Sequence, residues 1–128
     1  MIPRFRAWDK TDKKMYLVDE INFNHGEFES IGVGITFLRG ADKVELMQST
    51  GLKDKNGKEI FEGDIVRMRN PRDRRQIGMF QVVRVANSPM LGLLDKKLTT
   101  EIFNLYEHMR NYYEIIGNIH ENPELLGQ

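Results

Sequence analysis

The sequence predicts a mainly β protein: an N-terminal β subdomain over residues 1–50, then an SH3-like small β-barrel over residues 51–128, with one short helix and a C-terminal helical turn. Two observations carry this reading. Short runs rich in β-branched and aromatic residues recur along the chain, each closed by a Gly, Asn, Asp or Pro signal, which is the pattern of a small all-β body. One segment, Glu101–Arg110, has a helical period instead: Ile102, Leu105, Tyr106 and Met109 share a face, and Thr99 or Thr100 supplies an N-cap.

Phe5–Asp9 and Lys14–Val18 form a hairpin across the polar connection Asp9–Lys13. The two-residue period of a strand puts Phe5 and Ala7 on one face, Arg6 and Trp8 on the other. Trp8, the single tryptophan, is read as an anchor for the terminus. Glu20–Asn24 continues as a short strand, ended by His25-Gly26. Ile31–Leu38 reads as one strand. Its Gly32 and Gly34 leave a smooth face on which a neighbour packs closely, or at which the strand bulges. Arg39–Lys43 is a polar connection to the strand Val44–Gln48. Thr50-Gly51 breaks that strand, and the boundary between subdomains is placed at Gln48–Gly51.

The chain is organised around the stretch Leu52–Arg69. A polar turn, Lys53–Lys58, has its tip at Asn56-Gly57. The apolar pair Ile60-Phe61 anchors it, and Glu62-Gly63-Asp64 turns again, with Gly supplying positive φ and Asp binding backbone amides. Ile65–Arg69 leaves this corner as a strand. Asn70–Arg75 is a loop, opened by the Asn-Pro breaker. Gly78–Ala86 is the most β-prone run in the chain. Its Phe80 and Val82 differ in parity from Val83 and Val85, so either both faces are buried or a bulge switches them. Asn87-Ser88-Pro89 turns into a short strand, Met90–Leu94. After the helix comes a last strand, Tyr112–Ile116. Asn122-Pro123-Glu124 opens the terminal turn, with Asn as N-cap, Pro at the first helical position and an acid in the first turn.

Acidic and basic residues balance at 19 each, and the pI is about 6.8, so no global charge draws the chain to nucleic acid or membrane. A hydrophobic content of 40% with 30% charged residues suits a globular chain. The cysteine-free composition removes disulfides, thiolate catalysis and thiolate metal sites, and it fits a reducing cytosol. The first residues lack the apolar run of a signal peptide, and no apolar stretch reaches membrane-spanning length. The expectation is a cytoplasmic protein with no membrane partner.

The densest local charge is Arg67, Arg69, Arg72, Arg74 and Arg75, offset by Asp73. Arg67 and Arg69 point the same way on a strand. Arginines at this density contact several phosphates at once. The same cluster also serves as a protein interface, or as a solvated strand end paired with nearby acids. Glu59, Glu62 and Asp64 gather around one turn, where carboxylates can carry acid–base chemistry or hold a divalent cation. The tight-turn reading accounts for them more simply. His25, His108 and His120 lack metal-ligand spacing and a nucleophile to serve. No catalytic, cofactor-binding or metal residue is assigned, and no small-molecule substrate is identified.

Three blocks resemble one family. They are Phe5-Arg6-Ala7-Trp8-Asp9 with Lys14-Met15; Met47–Asp54 running through Asn56–Val66; and Tyr113–Leu126. They resemble the YopX proteins, small proteins encoded by bacteriophages and prophages. The resemblance implies a small, soluble, β-rich protein and carries over no catalytic residue. It gives no block over Arg72–Met109. The functional expectation is a non-enzymatic phage accessory module for binding or assembly, acting on nucleic acid through the Arg-rich strand and loop. The alternative is a homo-oligomeric protein–protein interaction module with no nucleic-acid role, motivated by Ile31–Leu38 and Trp8.

Overall fold

The computed structural model describes residues 4–33, 37–70, 73–84, 91–94, 102–104 and 107–126. The chain divides into two compact units, Met1–Gln48 and Ser49–Gln128.

In the first unit, β1 (Phe5–Asp9) and β2 (Lys14–Leu17) pair antiparallel from Arg6↔Leu17 to Asp9↔Lys14. The loop between them is built by Asp9. Its buried carboxylate accepts the amides of Thr11 at 2.8 Å and Asp12 at 3.2 Å, and its carbonyl accepts the Lys13 amide at 2.8 Å. Three further strands form a second sheet in the order β3 (Glu20–Asn24), β4 (Glu27–Val33) and β5 (Phe37–Gly40). His25 and Gly26 join β3 to β4 with φ of 53° and 81°, the left-handed pair that a two-residue I′ hairpin loop needs.

Ile31–Leu38 is therefore not one strand. Val33 in β4 pairs with Phe37 in β5, so the chain folds back between them. A period-two reading does not separate a reversal inside an apolar run from a flat strand. The close approach expected at Gly32 is real: it pairs with Glu20, and a Cβ on it would lie 3.2 Å from the Glu20 Cβ. Gly34 lies outside the described residues. The core of this unit joins Ala7, Ile31 and Val44, with Val18, Phe28 and Leu46 against it. Trp8 is half-buried, and its neighbours Ala7 and Asp9 are the fully buried positions of β1.

Strand β6 (Val44–Lys53) pairs with β1 from Asp9↔Val44 to Phe5↔Gln48 and then continues into the second unit. Thr50-Gly51 does not break it. The strand bulges there: Gly51 takes a φ of 79°, and the pairing to β7 (Glu59–Phe61) shifts between Ser49↔Phe61 and Lys53↔Glu59. The bulge is held by side chains, since Ser49 Oγ accepts the Gly51 amide at 3.0 Å and Thr50 Oγ1 donates to the Ile60 carbonyl at 2.7 Å.

The second unit's main sheet comprises β8 (Asp64–Asn70), β9 (Asp73–Arg84), β10 (Leu91–Leu94), β11 (Ile102–Asn104) and β12 (Tyr113–Asn118), in the order β11-β10-β9-β8-β12. It is a curled antiparallel sheet, a half-barrel. Ile60, Val66, Phe80, Val82, Leu93 and Tyr113 form its core, with Met68, Met109 and Ile115 against them. The parity conflict in β9 resolves without a bulge: Phe80 and Val82 are buried, Val83 is half-buried on the other face, and pairing runs unshifted from Ile65↔Gln81 to Arg69↔Ile77.

Two sequence expectations change here. Asn70–Arg75 is not a loop throughout, because Asp73 already begins β9 and pairs with Asn70. The helix expected over Glu101–Arg110 does not form among its described residues; Glu101, Leu105 and Tyr106 lie outside them. Ile102–Asn104 is β11, paired with β10 from Gly92↔Asn104 to Leu94↔Ile102, and Glu107–Tyr112 is a 3₁₀ helix. A helical period this short does not sustain an isolated helix, and the partner strand captures its first residues. The terminal turn forms as a 3₁₀ helix, Pro123–Leu126. Among the described residues there is no α-helix, and no helix is long and apolar enough to cross a membrane.

Candidate functional site

The turn at Lys53–Lys58 is assembled around one side chain. Asp54 is fully buried. Its Oδ1 accepts the amides of Asn56 and Lys58, each at 2.9 Å, and its Oδ2 accepts the Ile115 amide at 3.0 Å. The Gly57 amide donates to the Asp54 carbonyl at 3.0 Å, and Gly57 takes a φ of 81°. The Lys55 amide donates to the Tyr113 carbonyl at 2.9 Å. β12 is an outer strand of its sheet, and an outer strand presents a row of unpaired backbone groups. Lys55 and Asp54 satisfy two of them, at Tyr113 and Ile115, so the turn covers that edge.

The next corner uses the same chemistry. Gly63 has a φ of 89°, and the buried Asp64 accepts the Phe61 amide at 2.8 Å. The Gly63 amide donates to the Val82 carbonyl at 2.8 Å, and its carbonyl accepts the Ile119 amide at 2.9 Å. At the far end of β12, the buried Asn118 accepts the amides of His120 at 3.0 Å and Glu121 at 2.8 Å. Asn122 closes over Gly117, where a Cβ would lie 2.5 Å from its Oδ1.

The carboxylates are engaged by the fold. Glu59 accepts the Ser49 hydroxyl, Glu62 pairs with Arg84 at 3.2 Å, and Asp64 binds backbone. Among the described residues, no group of three or more His, Asp or Glu side chains could hold a metal ion. His25 lies in a turn, half-buried His120 hangs on the Asn118 cap, and the His108 side chain is outside the described residues.

Beyond the corner, β8 changes character. Asp64, Ile65 and Val66 are buried; Arg67 and Arg69 are exposed and share one strand face. Opposite Arg67 in the ladder stands Glu114. Arg67 and Glu114 form an ion pair, and Lys55 Nζ approaches the other Glu114 oxygen at 3.5 Å. The hydrogen bond from Arg67 holds the Glu114 carboxyl below its ordinary value; desolvation opposes this, and the charges of Arg67 and Lys55 reinforce it. Arg72 lies outside the described residues. Arg74 and Arg75 fall in β9, but their side chains are outside the described residues. The structure thus brings together Arg67, Lys55 and Glu114, with Arg69 on the same strand face as Arg67. Lys55 and Glu114 had no signal in the sequence, since their meeting depends on β12 pairing with β8.

Fold and turns define a small β protein: an N-terminal β unit followed by a curled half-barrel laced by side-chain-capped turns. The family model described as YopX protein matches residues 4–127, and the chain belongs to the YopX family. The solved structure of protein EF1440 from Enterococcus faecalis is 31% identical, with a TM-score of 0.63, covering 98% of this chain and 99% of that one. Protein yopX from Bacillus subtilis is similar in fold at 17% identity, with a TM-score of 0.65 and coverage of 96% and 95%. No curated protein matches the chain.

Proposed function

We propose that the protein is a non-enzymatic binding module of the cytoplasm, a phage or prophage accessory protein, that contacts nucleic acid through strand β8 and the β8–β9 hairpin. The observation that carries this is the exposed pair Arg67 and Arg69 on one strand face. Arginine forks match phosphate oxygens bidentately, and spacing along a strand suits contacts to successive phosphates. Arg72, Arg74 and Arg75 come directly after them in the chain. Glu114 partly neutralises Arg67, so a phosphate must compete with it. The non-enzymatic reading draws support from Glu59, Glu62 and Asp64, each of which is engaged by the fold, through Ser49, Arg84 and the Phe61 amide. The phage setting and the SH3-like description of the half-barrel rest on the resemblance and the strand pattern. The test is binding to heparin and to a short DNA duplex across a salt series. Binding falls steeply with salt and with Arg67, Arg69, Arg74 and Arg75 replaced by Ala. No retention at low salt overturns the proposal.

A second reading, self-association without a nucleic-acid role, is favoured by exposed apolar side chains in the first unit. Phe23 is 64% exposed and Leu17 56%, and the Phe23 ring lies 6.5 Å from the ring of half-buried Phe28. A mass by light scattering that rises with concentration supports this reading, and a constant monomer mass removes it.

A further inference from the structure

Asn56-Gly57 is the single Asn-Gly pair in the chain, and both residues are exposed at the tip of the Lys53–Lys58 turn. We infer that Asn56 is a site of spontaneous deamidation held in check by the Asp54-centred turn. The chemistry needs only water. The Gly57 amide nitrogen gives up its proton and attacks the side-chain carbonyl carbon of Asn56. A C–N bond closes a cyclic imide as the C–NH₂ bond breaks, and the nitrogen leaves as ammonia, taking up the proton. Water then opens either side of the imide, yielding aspartate or β-linked isoaspartate, with no change in oxidation state. A following glycine favours the attack, because it has no Cβ to obstruct the approach and leaves the backbone free to rotate.

The folded turn opposes each requirement. The attacking nitrogen's proton is engaged by the Asp54 carbonyl at 3.0 Å. The amides on either side, of Asn56 and Lys58, are both fixed on Asp54 Oδ1 at 2.9 Å, so the backbone between them cannot swing to bring nitrogen and carbonyl carbon together. Asp54 is itself fixed on β12 through Ile115. Deamidation at Asn56 is therefore gated by opening of this turn. The isoaspartate product adds a backbone atom at the tip, which the Gly57-to-Asp54 hydrogen bond does not accommodate.

The experiment incubates the full chain in mildly alkaline buffer made with heavy-oxygen water, folded and in denaturant, and follows the Asn56 peptide by mass spectrometry. The other asparagines serve as internal references. Conversion at Asn56 is at least several-fold faster in denaturant than in the folded chain, and Gly57→Ala slows it in denaturant. Folded Asp54→Ala converts faster than folded wild type. Equal wild-type rates with and without denaturant overturn the gating, and an unfolded chain that leaves Asn56 intact overturns the site. The wild-type comparison stands even where Asp54→Ala fails to fold.

Discussion

The two halves of Leu52–Arg69 are joined in one run of chain and behave in opposite ways. Between Asp54 and Val66 the two aspartates point inward, while Lys55, Asn56 and Lys58 stay at the surface. Asp54 and Asp64 are buried, and their oxygens are spent on backbone amides. From Arg67 the polar groups point outward, and the charges meet solvent and one another. The difference teaches where to look for function in a chain dense in charge. A buried carboxylate surrounded by amides is part of the folding instructions, because removing it takes away the acceptor that those amides share. An exposed arginine row contributes little to stability and can exchange a surface ion pair for a partner.

The sharpest way to break this contrast is Asp54→Ala. It leaves the amides of Asn56, Lys58 and Ile115 without their acceptor, and at about 1 kcal/mol or more for each stranded donor the loss is about 3–4 kcal/mol. Urea unfolding measures it. Asp9→Ala in the first unit likewise takes the acceptor from the amides of Thr11 and Asp12 and lowers the urea midpoint. Gly117→Ala comes next, since its Cβ meets Asn122 within 3 Å; overpacking of this kind costs about 1–3 kcal/mol, read as a lowered thermal midpoint.

Glu114→Gln probes the border between the two halves. The folded carboxyl titrates below its ordinary value of 4.5, so the charged pair contributes stability that is fully present above that value and is lost as pH falls through the lowered one. Wild type is more stable than Glu114→Gln at neutral pH, and the two converge in acid. Urea midpoints across a pH series check this. A difference that persists unchanged in acid would show that the carboxylate's charge is not what matters.

Much of this division was legible in the residues. Asn56-Gly57 and Glu62-Gly63-Asp64 announced turns, and both glycines adopt the left-handed φ those turns need. The local half of Asp54's role was also within reach, as an Asx side chain facing amides two and four residues on. Its bond to Ile115, and the meeting of Lys55, Arg67 and Glu114, were not, because each depends on which strand lies beside β8. The same holds for the misread elements. The fold-back between β4 and β5 and the capture of Ile102–Asn104 by β10 are choices made by pairing partners, which local periodicity does not encode.

The residues before Arg67 hold the fold together, and those from Arg67 onward are the ones proposed to bind. The measurement that tests this division most directly is retention of Arg67→Ala/Arg69→Ala on heparin in a salt gradient, alongside its thermal midpoint. Earlier elution is predicted, with the midpoint lowered only slightly by the loss of one exposed ion pair. Unchanged retention, or loss of the fold with the two arginines, would contradict it.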